Sequence, residues 1–208
     1  MKFAPEGYPF IAVFMALTAI AAVAFGPRWA VIPLVVTLFM LYFFRDPERI
    51  VPAAPGFISP ADGKIIVIKR MREDEYLKAD STKISIFMSP LNVHVNRAPC
   101  DGTVVSVKHT PGGFSAAYKE EASLRNENIA MVLRCADGPE LLVRQIAGFI
   151  ARRAVCRVRP GDSVKRGERY GMIKFSSRLD VYLPPDMDVK VKLDDTVRAG
   201  ETILAVAR

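Results

Sequence analysis

A chain of 208 residues, 50% apolar and 25% charged, has room for one core domain with an accessory segment or for two small domains, which excludes a disordered or fibrous polymer. Basic residues (29) outnumber acidic ones (22) for a formal net charge of +7; with an apolar N-terminus present, this favours an anionic lipid surface over nucleic acid as partner. Cys100, Cys135 and Cys156 are odd in number, widely spaced and without a CxxC pair, so neither a disulfide nor a metal site is expected, and thiols in a reducing compartment are the default.

Phe10–Phe25 carries no charge, Gly26-Pro27-Arg28 interrupts it, and Trp29–Phe44 is apolar again. Each run falls a little short of the about 20 residues of a comfortable span. The second run, and the lack of a small-x-small cleavage site, argue against a signal peptide. The pattern predicts a helical hairpin, either two short tilted spans or a re-entrant wedge. Lys2, Arg45 and Arg49 flank it, which places both ends on the cytoplasmic side of a cell (inner) membrane. Residues 1–49 are therefore read as a membrane anchor and 50–208 as a separate domain. Pro47 stops the second helix, and Pro52, Pro55 and Pro60 stiffen the linker.

From Phe57 onward, short alternating runs predict strands at Lys64–Lys69, Lys83–Met88, Thr103–Lys108, Ile129–Arg134, Leu141–Ile146 and Ala154–Val158. Asp-Gly, Gly-Gly and Pro-Gly pairs punctuate them, and no long amphipathic helix intervenes. The domain is expected to be mainly β, a barrel or sandwich. The C-terminal third repeats itself: Gly161-Asp162-Ser163-Val164-Lys165-Arg166-Gly167-Glu168 is echoed by Asp194-Asp195-Thr196-Val197-Arg198-Ala199-Gly200-Glu201, each followed by an apolar strand. Two such half-repeats resemble the biotinyl/lipoyl carrier fold. Where those carriers hold a modified lysine, this chain has Ser176-Ser177.

Several local patterns carry polar chemistry. Ser59-Pro60-Ala61-Asp62-Gly63 is by itself a turn. Asn92, His94 and Asn96 alternate with Val93 and Val95, a spacing that puts them on one face of an extended segment. That face suits a polar headgroup or proton exchange; a structural histidine gives the same pattern. Arg97, Arg152 and Arg153 are candidates to hold a lipid phosphate, and equally surface charges.

Taken in order, residues 59–63, 87–102, Pro111-Gly112-Gly113-Phe114, 145–153 and 175–184 resemble the phosphatidylserine decarboxylase family, in its short membrane-anchored bacterial and archaeal form, over nearly the whole chain. The resemblance implies a proenzyme that cuts itself between residues 176 and 177. Ser177 would attack the preceding carbonyl, and elimination would release residues 1–176 and leave a covalent pyruvoyl group at the head of residues 177–208. That group would serve as the electron sink for turning phosphatidylserine into phosphatidylethanolamine. Asp62 matches the processing aspartate and His94 the substrate histidine. The longer bacterial forms carry a second histidine where this chain has Arg97, which cannot act as a base; His94 paired with Asp62 is the expected substitute. The family places glycine before the cut serine. Ser176 there adds a Cβ where unusual backbone angles are needed, so impaired cleavage is expected. Anionic lipids, the two chains of the precursor and a homodimer are the partners this reading allows. Its rivals are a non-catalytic membrane-anchored carrier or adaptor and an unprocessed lipid-binding form.

Overall fold

The computed structural model describes residues 2–113, 126–136, 138–148, 153–174 and 177–207. It divides into two compact units, Met1–Glu48 and Arg49–Arg208.

In the first unit, α1 (Tyr8–Phe25) and α2 (Pro27–Phe43) form the hairpin that the two apolar runs predict, turning at Gly26 with φ 94°. Thr18 and Thr37 meet across it at 3.1 Å, and each also bonds a carbonyl one turn back in its own helix, Phe14 and Pro33 respectively. These hydroxyls satisfy themselves without water, as an apolar setting requires. The two-stranded ladder of β1 (Lys2–Phe3) and β2 (Arg45–Asp46) closes the open end, with Lys2 paired to Glu48. Counted from Pro5, the first helical segment is long and apolar enough to cross a membrane, and side chains such as Val23, Phe25, Trp29 and Ile32 are exposed.

The second unit is built from strands, as the alternation predicts. In chain order these are β3 (Phe57–Ile58), β4 (Gly63–Glu73), β5 (Ala79–Met88), β6 (Val95–Arg97), β7 (Gly102–Thr110), β8 (Asn128–Cys135), β9 (Glu140–Ala147), β10 (Ala154–Cys156), β11 (Ser163–Val164), β12 (Arg169–Ile173), β13 (Ser177–Leu183), β14 (Met187–Val189), β15 (Thr196–Val197) and β16 (Ile203–Ala207). A curled eight-stranded sheet runs β11-β7-β8-β9-β13-β5-β4-β15, and two three-stranded sheets, β10-β12-β6 and β14-β16-β3, accompany it. One face of the large sheet presents Ile84, Ile86, Met131, Leu133, Val143, Leu179 and Val181 to the main core.

This order reads nearly the same from either end because the internal repeat extends beyond the C-terminal third. Residues 57–69 and 96–108 are a second pair of copies, sharing Pro-x-Asp-Gly (Pro60–Gly63 and Pro99–Gly102) and an apolar strand after it. Their hydrogen bonds match one for one. Arg97 N–H donates to Pro60 O and Ile58 N–H to Pro99 O, both at 3.0 Å. Gly167 N–H donates to Ala98 O and Gly200 N–H to Ser59 O, both at 2.8 Å. Ladder irregularities fall at corresponding places, Ile65/Val67 and Val104/Ser106. Gly167 (φ 82°) and Gly200 (φ 80°) occupy the same left-handed turn position, which a residue with a Cβ adopts only under strain. A pseudo-twofold axis therefore passes between β9 and β13.

Candidate active site around Ser177

Ser177 opens β13, and its surroundings follow from register. It stands opposite Met88 of β5 on one side and Ala147 of β9 on the other. Seven consecutive residues of β13 pair with β5, and six pair with β9. The side chain is wholly buried on the core face of the sheet, with its hydroxyl 3.4 Å from the Met88 thioether. Asn96 Nδ2 reaches the same sulfur at 3.9 Å and the Pro60 carbonyl at 3.4 Å. Met88 thus links Ser177 with Asn96 and, through Pro60, with the turn that carries Asp62.

The Asp62 carboxylate is held on both oxygens. Oδ1 accepts the Ala199 N–H at 2.7 Å, and Oδ2 accepts from Arg49 at 2.7 Å, an ion pair whose side chains are only 8% and 12% exposed. Glu201 flanks Arg49 at 3.3 Å. The expected pairing of Asp62 with His94 is not made: Asp62 takes Arg49 instead, because residue 49 lies beside the Asp62 turn in this unit. His94 is wholly buried and bonds the Asn92 carbonyl through Nδ1 at 2.9 Å. A carbonyl only accepts, so Nδ1 carries the proton, and Nε2 is the basic nitrogen of the neutral ring.

The other predicted residues divide. Asn92 does not share a face with His94 and Asn96; its Oδ1 accepts from the Ser89 N–H and hydroxyl at 2.9 and 2.8 Å, closing a turn. The expected alternation fails because every residue from Val93 to Cys100 is buried, with β6 covered on both faces. Arg97 is buried and donates to the Gly167 carbonyl at 2.9 Å. Arg153 is exposed, and its carbonyl accepts the Lys174 N–H. Ser176 and Arg152 lie outside the described residues.

Three neighbours fall outside the expected site residues, although Gln145 opens one of the stretches that carry the family resemblance. Arg49 reads as a membrane flank, and Met88 as core. Gln145 falls in a β9 run of buried residues, opposite Leu179 on the same face as Ser177. Its Nε2 donates to Asn96 Oδ1 at 2.8 Å and to the Val155 carbonyl at 3.2 Å. Its Oε1 is buried and has no hydrogen-bond partner among the described residues, a costly arrangement unless a ligand donor completes it. On the opposite face, Arg178 and Asp180 of β13 pair at 2.8 Å, and Lys83 of β5 reaches Asp180 at 3.1 Å; all three are buried.

The family model described as phosphatidylserine decarboxylase matches residues 36–205. Among relatives named phosphatidylserine decarboxylase proenzyme, that of Desulfotalea psychrophila is 48% identical over 202 residues, covering 97% of this chain and 94% of the relative. Those of Geotalea uraniireducens (46% identical over 204 residues, 98% and 95% covered) and Ralstonia pickettii (48% over 203 residues, 97% and 94%) are similar to it to the same degree. With the match spanning both the hairpin and the β unit, the chain belongs to the phosphatidylserine decarboxylase family.

Proposed function

We propose that this protein is a proenzyme that cuts the bond between residues 176 and 177 and, from Ser177, acquires a pyruvoyl group with which it decarboxylates phosphatidylserine to phosphatidylethanolamine. The observation that carries this reading is the position of Ser177, buried at the first residue of a strand paired on both sides. Cutting before a residue so placed leaves the new N-terminus fixed, since β13 keeps its ladders to β5 and β9.

In the cut, the Ser177 hydroxyl attacks the carbonyl of residue 176, exchanging the amide for an ester; elimination across Cα–Cβ of residue 177 frees residues 1–176, and hydrolysis of what remains gives the pyruvoyl group and ammonia. A serine hydroxyl needs a base for this step. His94 offers Nε2, and Asp62, fixed by Arg49 and the Ala199 N–H, holds a negative charge in the adjoining turn. Ser176, where the family has glycine, slows the attack by restricting the backbone.

The residues present fit the group. Ser177, His94 and Asn96 are wholly buried, so the site is dry, and the unpartnered Gln145 Oε1 projects from the face that Ser177 shares. A pyruvoyl carbonyl supplies an electron sink for the carbanion left when carbon dioxide departs. Exclusion of water favours loss of the substrate carboxylate charge. Gln145 Oε1 accepts from the substrate amine, and His94 holds the proton that is later returned to carbon. The apolar hairpin anchors the β unit to the cytoplasmic face of the membrane, so the lipid is taken without leaving the bilayer.

The test is carbon dioxide release from phosphatidylserine labelled in its serine carboxylate, presented in vesicles to the full-length protein. Release that hydroxylamine abolishes is expected. A fully cleaved protein that releases none would overturn the enzyme reading in favour of a carrier or adaptor.

A further inference from the structure

The pseudo-twofold axis relates the Ser177 site to a place among the opposite strands that holds a cavity of about 430 Å³. Asp101 there corresponds to Asp62, Cys100 to Ala61, Phe57 to Asn96 and Arg166 to Ala199. Asp101 Oδ1 accepts the Arg166 N–H at 2.9 Å, as Asp62 Oδ1 accepts that of Ala199 at 2.7 Å. Cys135, at the end of β8, stands where Met88 ends β5; it pairs with Gly102 and lies one residue beyond the Arg134–Glu140 pair of β8 and β9. Pro139 thereby takes the place of Ser177. Across the axis the chemistry differs: in place of the serine and the Asn96 amide, two thiols and a guanidinium stand in the cavity wall.

Cys100 and Cys135, 35 positions apart in sequence, have their sulfurs 2.9 Å apart. All three cysteines are free thiols, with Cys100 buried and Cys135 partly exposed in the cavity wall. The Cys100 thiol donating to it holds the Cys135 pKa below its ordinary value; the same contact, with burial, drives Cys100 upward. Arg166 lines the cavity as well. Its Nη1 is fixed on the Pro52 carbonyl at 2.9 Å, whereas Nε and Nη2 are buried with no hydrogen-bond partner among the described residues. Two such donors in a fork match a carboxylate.

We propose that Cys135 and Cys100 form a thiol–disulfide exchange site, remote from Ser177, that takes a small carboxylate-bearing disulfide of the glutathione class and closes to a Cys100–Cys135 disulfide. Arg166 receives a carboxylate of the incoming disulfide. Cys135 sulfur, having lost its proton, attacks one sulfur of that disulfide; the bond between its two sulfurs breaks, and the departing thiolate takes the proton. Cys100 then attacks the Cys135 sulfur, displacing the second small thiolate, which takes the Cys100 proton. The two cysteines are oxidised, and one small disulfide is reduced to two thiols. The sulfurs have to approach only from 2.9 Å to a bonded separation of roughly 2.05 Å.

The full-length protein in detergent is incubated with oxidised glutathione, quenched in acid, alkylated and peptide-mapped. The expected product links the peptides carrying Cys100 and Cys135, is reversed by dithiothreitol and leaves Cys156 alkylatable. Cys100 and Cys135 both remaining alkylatable after prolonged exposure, or a bridge to Cys156 instead, would overturn the proposal. In Cys100→Ser, a mixed disulfide is expected to accumulate on Cys135; an unmodified Cys135 counts against it. Arg166→Lys should slow exchange with oxidised glutathione several-fold while leaving exchange with uncharged hydroxyethyl disulfide unchanged. Equal rates with the two disulfides in the unaltered protein would remove Arg166 from the account.

Discussion

Arg49 donates to the Asp62 carboxylate across 2.7 Å, with both side chains largely out of water. A buried carboxylate deprived of its cation costs about 3 kcal/mol, less whatever solvent reaches it. Arg49→Met is therefore expected to lower unfolding stability by that order and to lengthen the time for self-cleavage, with Arg49→Lys recovering part of both. Denaturant titration and a time course of chain cleavage by mass read the two effects.

Gln145 presents an unpartnered Oε1 on the face that Ser177 shares. If it accepts from a charged substrate amine, its loss removes a bond worth about 1.5–3 kcal/mol. Gln145→Leu should reduce kcat/KM for phosphatidylserine by about 10- to 100-fold in protein that has completed its cleavage. Unchanged kcat/KM in the cleaved variant would confine Gln145 to holding Asn96.

Asp180 is the anion between Arg178 and Lys83 on the far face of β13. Asp180→Leu leaves two cations buried without it and should destabilise the β unit by about 3–5 kcal/mol. Because residues 177–208 are held largely through β13, the same variant should lose its small chain at a denaturant concentration where the unaltered protein keeps it. Size-exclusion chromatography followed by mass measurement detects the loss.

By the resemblance to the family, Ser176 stands at a position expected to be glycine. Ser176→Gly widens the backbone angles open to residue 176 and should speed self-cleavage by about tenfold, the equivalent of roughly 1.4 kcal/mol in the barrier. The fraction of uncut chain over time, measured by mass, decides it; equal rates would mean that serine meets the geometry unaided.

Much of this architecture was legible in the sequence, for physical reasons that also mark where legibility ended. Apolar alternation located β4, β5, β7, β8 and β9, since a sheet with a buried core face imposes a period of two. It shortened β4, because Arg70–Glu73 reads as polar. Glu73 is nevertheless buried, its carboxylate accepting the Tyr76 and Leu77 N–H groups at 2.8 and 2.7 Å. The C-terminal half-repeat showed through its Val, Gly and Glu positions. Its partner copies at 57–69 and 96–108 share little beyond Pro-x-Asp-Gly and interchangeable β-branched residues, so only the matching hydrogen bonds reveal them. Arg49 sits four residues after Arg45 and reads as a membrane flank; nothing local announces a partner thirteen residues away. The approach of Cys100 and Cys135 is a consequence of strand register, which wide spacing conceals.

The central claim is that activity originates at Ser177 after the chain is cut before it. The most direct measurement follows purified full-length protein by intact mass while assaying the same samples for carbon dioxide release from phosphatidylserine. The account predicts conversion of the 208-residue chain into residues 1–176 and a pyruvoyl-headed 177–208, with activity rising in proportion to the cut fraction and Ser177→Ala remaining whole and inactive. Decarboxylation by uncut chain, or by Ser177→Ala, would contradict it.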